Sequence, residues 1–209
     1  LITSDKCYKN LEKINGYKED SVLGGTDPYS ASKAAIENLY FSHYKTYLSS
    51  LKNITSSTVR AGNVIGGGDF TKDRIVPDTI KNWKNKKIAK IRNPKAVRPW
   101  QHVLEPISGY LWLACNLKDK RYNGHNFNFG PNKSGINNVI NLLSQMAKVW
   151  KKMRWKKTQN NIKYETNILV LDCSKSNKLL KWFPALNFKE TSKLTAAWYY
   201  EYYNNKKGI

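Results

Sequence analysis

The chain has 209 residues, 40% hydrophobic and 12% aromatic, enough for one good-sized domain, or one domain plus a small lobe, around a packed core. Its formal charge of +21 raises the question of a nucleic-acid or anionic-membrane partner, but only six of the 36 basic residues are Arg, the side chain whose fork matches guanine and phosphate. The lysine excess reads as a compositional bias over exposed sites, and neither nucleic acid nor membrane is expected as a partner.

No apolar run approaches the length of about 18 residues that a membrane span requires. Cys7, Cys115 and Cys173 are scattered, and His43, His102 and His125 do not cluster with them. That usage predicts no zinc site, no disulfide framework and a reducing, cytoplasmic compartment.

Leu1-Ile2-Thr3-Ser4 reads as the C-terminal end of a buried strand, followed by the polar pair Asp5-Lys6. A chain that opens without Met, on a strand already under way, is expected to be a segment of a longer protein. Residues 10–27 lack periodicity and carry Gly16, Gly24 and Gly25, so they read as a loop. A helix is predicted from Pro28 to Leu51, with Pro in the first turn and Ala31, Ala35, Leu39 and Leu48 near helical spacing. Ile54–Arg60 reads as a strand, Gly62–Asp69 as a glycine-rich loop, Ile75–Asn85 as a short helix and Ile88–Ile91 as a strand. A helix over 104–117, a strand near Phe127–Phe129 and a helix over 136–150 follow. Lys151–Asn161 is polar and unpatterned and reads as a solvated loop. A strand at Ile168–Leu171 and helices over 174–181 and 189–204 complete the chain. Strands alternating with helices predict an α/β fold.

Tyr29 and Lys33 stand four apart at the start of the first helix, which places them on one face. A neighbouring ammonium favours phenolate and lowers a tyrosine pKa from its ordinary value of about 10, so Tyr29 is a candidate base for a sugar hydroxyl. The same spacing recurs at Tyr202/Lys206 and Tyr203/Lys207. Only Tyr29 follows a strand end bearing a serine and sits on a proline-started helix.

Thr3-Ser-Asp-Lys6 followed by Asp27-Pro-Tyr-Ser-Ala-Ser-Lys33 resembles the extended short-chain dehydrogenase/reductase family of nucleotide-sugar enzymes. The resemblance implies a partial Rossmann-like, doubly wound parallel sheet with a smaller C-terminal substrate-binding lobe. Residues 1–62 would belong to the NAD-binding domain and 63–209 mostly to the lobe, with about 92–126 returning to the first unit. It also implies that Ser4 bonds the reacting sugar oxygen and Tyr29 removes its proton, while Lys33 holds the nicotinamide ribose of NAD and tunes Tyr29. In the family's 4-epimerases the residues after the Ser or Thr are not an acid–base pair; in its 4,6-dehydratases they are. Here they are Asp5 and Lys6, the implied acid and base of water elimination, Lys6 standing where relatives carry Glu. Lys6 serves as base only if burial and nearby cations lower its pKa; otherwise it is a structural cation paired with an acid.

Val59-Arg-Ala-Gly-Asn-Val-Ile-Gly-Gly-Gly-Asp69 is the second family-like stretch. Three glycines let a backbone approach a phosphate closely, although an ordinary loop uses them too. By resemblance Asn63 contacts the diphosphate, and Arg74 with Ile75-Val76-Pro77 lies against the nucleotide. In Ile91–Pro106, Arg98 takes the position that grips diphosphate and ribose, where a bidentate guanidinium suits two oxygens. Trp100 and His102 read as packing and supporting groups. The form of this stretch, with Lys6, points to a CDP-sugar substrate.

Asn128, in Asn126-Phe-Asn-Phe-Gly-Pro131, is expected near the nucleotide, and Lys181 replaces a glycine usual in the late element 171–184. A homodimer through the Tyr29 helix is implied as well. No glycine-rich cofactor loop precedes Tyr29, so the resemblance places about 100–130 residues before Leu1, at about 30 per βαβ unit, and predicts that these 209 residues alone do not turn over substrate. A dTDP-glucose or GDP-mannose dehydratase, a 4-epimerase, an inactive remnant and a basic polyanion-binding module are the alternatives.

Overall fold

The computed structural model describes residues 1–151, 154–158 and 168–205. Its elements in chain order are α1 (Pro28–Thr46), β1 (Thr58–Ala61), β2 (Val64–Ile65), α2 (Ile75–Lys84), β3 (Ala89–Ile91), β4 (Val97–Pro99), β5 (Gln101–His102), α3 (Leu104–Asn116), β6 (Asn126–Phe129), β7 (Ile136–Asn138), α4 (Val139–Met146), β8 (Trp155–Lys157) and α5 (Phe188–Asn204). Strands alternating with helices, and mostly parallel pairing, bear out the α/β expectation.

The parallel pairing is centred on β1. It pairs with β6 from Thr58↔Asn126 to Ala61↔Phe129, and on its other side Ile2 bridges Val59 in parallel. Val59 is thereby gripped by the opening segment, with Val59 N donating to Leu1 O and Thr3 N to Val59 O, both at 2.9 Å. Three more pairs build the C-terminal part: β2 with β5 and β3 with β8 in parallel, β4 with β7 antiparallel.

Three apolar clusters hold these layers. Trp83, Trp100, Leu142, Leu143, Met146, Trp150 and Tyr199 join α2, α4 and α5. Val59, Leu113, Phe127, Phe129 and Trp182 bind α3 to β1 and β6. Cys7, Tyr8, Tyr17, Leu169 and Leu171 pack beneath the opening turn. Gly109 lets α3 lie against the sheet, because a Cβ there would meet the Phe129 ring.

Several expected boundaries change. The first helix ends at Thr46 rather than Leu51, the strand expected from Ile54 begins only at Thr58, and the loop expected over Gly62–Asp69 contains β2. The helix expected over 136–150 begins only at Val139, since Ile136–Asn138 pairs with β4 and the Asn138 side chain caps α4 by accepting from Asn141 N at 2.8 Å. Residues 168–171 form single bridges, Ile168 to Val97 and Leu171 to Tyr17, rather than a continuous strand. The expected helix at 174–181 closes as a π turn over Ser176–Leu180 and stops at Lys181, whose φ of 54° is left-handed. That is the conformation a glycine adopts without steric cost. The loop expected over 151–161 contains β8, whose Trp155 packs on the first cluster. Residues 152–153 and 159–161 lie outside the described residues, as do Lys206 and Lys207. No described helix is long and apolar enough to cross a membrane.

Candidate active site

The opening strand ends in one tight turn. Ser4 has an extended backbone and caps the 3-10 turn Asp5–Cys7. Its Oγ accepts from Lys6 N at 3.2 Å and donates to Asp5 Oδ1 at 3.0 Å. Because Ser, Asp and Lys follow one another around this turn, all three side chains reach the same cavity.

Asp5 is only 4% exposed, and among the described residues its Oδ2 has no hydrogen-bond partner. Burial, opposed by the Lys6 charge, the Ser4 hydroxyl and the Arg98 charge, pushes its pKa up to about 6. Lys6 is half-buried and makes no salt bridge with a described residue, although its charge acts on the carboxyls of Asp5 and Asp27.

Helix α1 presents the second pair. The Asp27 carboxylate caps it, accepting from Ser30 N at 3.0 Å and Ser30 Oγ at 2.6 Å, and Pro28 fills the first turn. Tyr29 follows at the cavity wall, 56% exposed. The Lys33 ammonium stands 5.5 Å from the centre of its ring, within cation–π range. Lys33 itself is beside the cavity rather than in its lining. Among the described residues, no other side chain engages the Tyr29 hydroxyl or the Lys33 ammonium.

The cavity measures about 690 Å³, in the range of small-molecule sites. Asn63, Arg74 and Arg98 line it with Ser4, Asp5, Lys6 and Tyr29. Arg74, just before α2, is exposed and pairs with Asp69 at 3.2 Å. Arg98, on β4, is buried and donates to Val97 O at 2.8 Å. Guanidiniums and a carboxamide in one cleft suit an anionic, diphosphate-bearing ligand.

Two expectations need correction. Asn128 does not reach the cavity: it is fully buried, its Oδ1 accepts from Tyr8 Oη at 2.8 Å, and its Nδ2 donates to Tyr17 O and Asp172 O at 2.8 and 3.1 Å. With both ends of the amide used, it is a cross-brace between β6 and the loops beside it. The glycine run is also only partly a ligand surface. Gly66 lines the cavity, but Gly67 lies under the Trp198 indole, which a Cβ would overlap, and Gly68 has a φ of 79°.

Trp100 packs as expected, donating from Nε1 to Asn137 O at 2.8 Å, and His102 stays out of the lining. The sequence reading missed Arg92, Asn93, Thr79 and Thr158, which also line the cavity. Arg92 carried the signal already used for Arg98, an arginine kept in a lysine-rich chain; Thr158 carried none.

Comparison with known proteins agrees with this geometry. Residues 1–195 match the family described as GDP-mannose 4,6 dehydratase. CDP-glucose 4,6-dehydratase of Salmonella typhimurium is 39% identical over 95% of this chain and 57% of its own length. dTDP-glucose 4,6-dehydratase of Haemophilus influenzae is 25% identical over 95% of the chain and 59% of its own length. The chain thus spans a little over half the length of these relatives. Among solved structures, dTDP-glucose 4,6-dehydratase from Bacillus anthracis in complex with NAD has a TM-score of 0.79 at 21% identity, covering 99% of this chain and 62% of that one. UDP-glucuronic acid 4-epimerase from Bacillus cereus has a TM-score of 0.81 at 19% identity, over 96% and 60%. The matched family extends over nearly the whole chain, from the Ser4-Asp5-Lys6 turn through the Tyr29 helix into α5, and the chain belongs to the GDP-mannose 4,6 dehydratase family of nucleotide-sugar enzymes.

Proposed function

We propose that the protein carrying this chain dehydrates CDP-glucose to CDP-4-keto-6-deoxyglucose with NAD. The observation that carries the reading is Asp5, a buried carboxyl with one oxygen that no described residue partners, next to Ser4 and inside a cavity that also holds Arg98. The CDP preference is supported by the Salmonella relative. Tyr29 and Lys33 fit the nicotinamide-ribose end of NAD, since phenol and ammonium adjoin each other and no other described side chain engages them. When bound, NAD supplies the reversible hydride acceptor that carries the C4 hydrogen to C6.

In this reading Ser4 Oγ holds the C4 oxygen and Tyr29 Oη, beside the Lys33 ammonium, takes its proton. The resulting 4-ketone acidifies C5–H. Lys6 takes the C5 proton while Asp5 delivers a proton to the C6 hydroxyl, which leaves as water, and Lys6 returns its proton to C5 as C6 is reduced. A pKa of about 6 leaves a useful protonated fraction on Asp5 near neutral pH. Arg74, Arg98 and Asn63 hold the diphosphate. Subunits pair through the outer face of α1, where Ile36, Leu39 and Tyr47 are exposed.

A 4-epimerase reading has the fold likeness to UDP-glucuronic acid 4-epimerase in its favour, but it gives Asp5 and Lys6 nothing to do. The native protein is tested with CDP-glucose, dTDP-glucose and GDP-mannose, reading the alkali absorbance of a 4-keto-6-deoxy product. Product from CDP-glucose alone or fastest is expected. Product only from another sugar nucleotide, or a C4 epimer without loss of water, overturns the proposal.

A further inference from the structure

One buried carboxylate joins the pieces of chain that bear the reactive side chains. Glu37 follows Tyr29 by two turns of α1 and is buried. Arg60 of β1 grips it as a fork, Nε to Oε1 at 2.9 Å and Nη2 to Oε2 at 2.8 Å. Thr58 Oγ1 donates to Oε2 at 2.9 Å, and Thr3 Oγ1 donates to Oε1. Thr3 immediately precedes Ser4. On its far side Arg60 Nη1 donates to Tyr8 Oη at 2.7 Å and Glu19 O at 3.0 Å, with Tyr8 just after the Asp5–Cys7 turn. The turn is therefore clamped before and after, and the clamp is anchored on the helix of Tyr29 and Lys33. None of these residues lines the cavity.

Stability alone does not account for such a network. Desolvating a carboxylate and a guanidinium offsets most of their attraction, and apolar replacements of similar volume are often as stable. A fork held by two parallel bonds does fix distance and angle. Burial opposes ionisation of Glu37, yet the Arg60 bonds and charge, with Thr3 and Thr58, outweigh it and hold the carboxyl below its usual range.

We propose that Glu37 and Arg60 are positioning residues whose buried fork sets the spacing between the Ser4-Asp5-Lys6 turn and Tyr29, so that Ser4 and Tyr29 meet the same sugar oxygen. The proposal rests on the dehydratase reading for the roles of Ser4 and Tyr29.

The test uses the native protein and the apolar double variant Glu37→Met/Arg60→Leu. Melting within a few degrees of the parent is expected, with KM for CDP-glucose nearly unchanged and kcat reduced by about 10²-fold, the effect of a misplacement of about 1 Å. Arg60→Lys, which keeps the charge and loses the fork, should fall between. Crystal structures of parent and double variant should differ in the Ser4 Oγ to Tyr29 Oη separation by about 1 Å. A folded double variant with parental kcat, or an unchanged separation, overturns the proposal. Should the double variant not fold, Thr3→Val removes a single tie: a reduced kcat at parental KM supports the clamp, and parental kcat contradicts it. A parent that leaves CDP-glucose untouched defeats the substrate reading, and the measured separation still decides the positioning role.

Discussion

Asp5 is buried at the cavity wall, and among the described residues one of its oxygens meets no donor, an arrangement that costs stability whenever the carboxyl is ionised. Its folded pKa of about 6 lies above the ordinary carboxylate value. The native state therefore binds the Asp5 proton more tightly than the unfolded chain does, and the Asp5 contribution to stability falls as pH rises from about 4 through about 6. Asp5→Asn should accordingly stabilise the fold at pH 7 by up to about 3 kcal/mol, with the gain vanishing near pH 4. Urea unfolding of both proteins at the two pH values checks this, and an equal difference at both would contradict it. The same variant should lose about 10²–10⁴-fold in kcat, the usual worth of a general acid. Arg98→Lys keeps the charge but loses the bidentate fork of the proposed diphosphate contact. Calorimetric titration with CDP should show about tenfold weaker binding, from the loss of roughly one charge-assisted hydrogen bond; parental affinity would remove Arg98 from the diphosphate site.

At the scale of elements, the cavity wall depends on α5 as much as on the loop that forms it. Trp198 covers Gly67, and Tyr199 Oη donates to Asp69 O at 2.5 Å. Gly67→Ala should cost about 1–3 kcal/mol by overpacking against the indole, and Trp198→Leu in the same chain should recover most of it. Melting curves of the single and double variants decide, and an unperturbed single variant would contradict the packing account. Some elements were plain in the sequence for physical reasons. Asp27-Pro28 announces the start of α1, and Tyr29 with Lys33 repeats at helical spacing. Others were not. Ile136 and Val139 suit strand or helix alike, and only the pairing of β7 with β4 separates them. Trp155-Lys156-Lys157 is too short and polar to read as a strand until β3 is beside it. Asn128 bears a side chain equally suited to a ligand or to a buried backbone carbonyl, and tertiary contacts assign it to the second. The Ser4-Asp5-Lys6 turn was legible because its residues are consecutive; the Glu37–Arg60 clamp was not, because its partners lie 23 positions apart.

For the whole molecule, the outer face of α1 exposes Leu39 at 67% together with Ile36 and Tyr47, an apolar stripe in keeping with the proposed pairing of subunits. Leu39→Glu in the native protein should shift its sedimentation from dimer toward monomer, and an unaltered dimer would place the interface elsewhere. The central claim is a reaction in which hydrogen leaves C4, water leaves across C5 and C6, and the same hydrogen arrives at C6. It is tested most directly by supplying the native protein with CDP-glucose deuterated at C4 and locating the label by NMR. The account predicts a 4-keto-6-deoxy product with deuterium on C6. Deuterium retained at C4 of an inverted sugar, or lost from the product altogether, would contradict it.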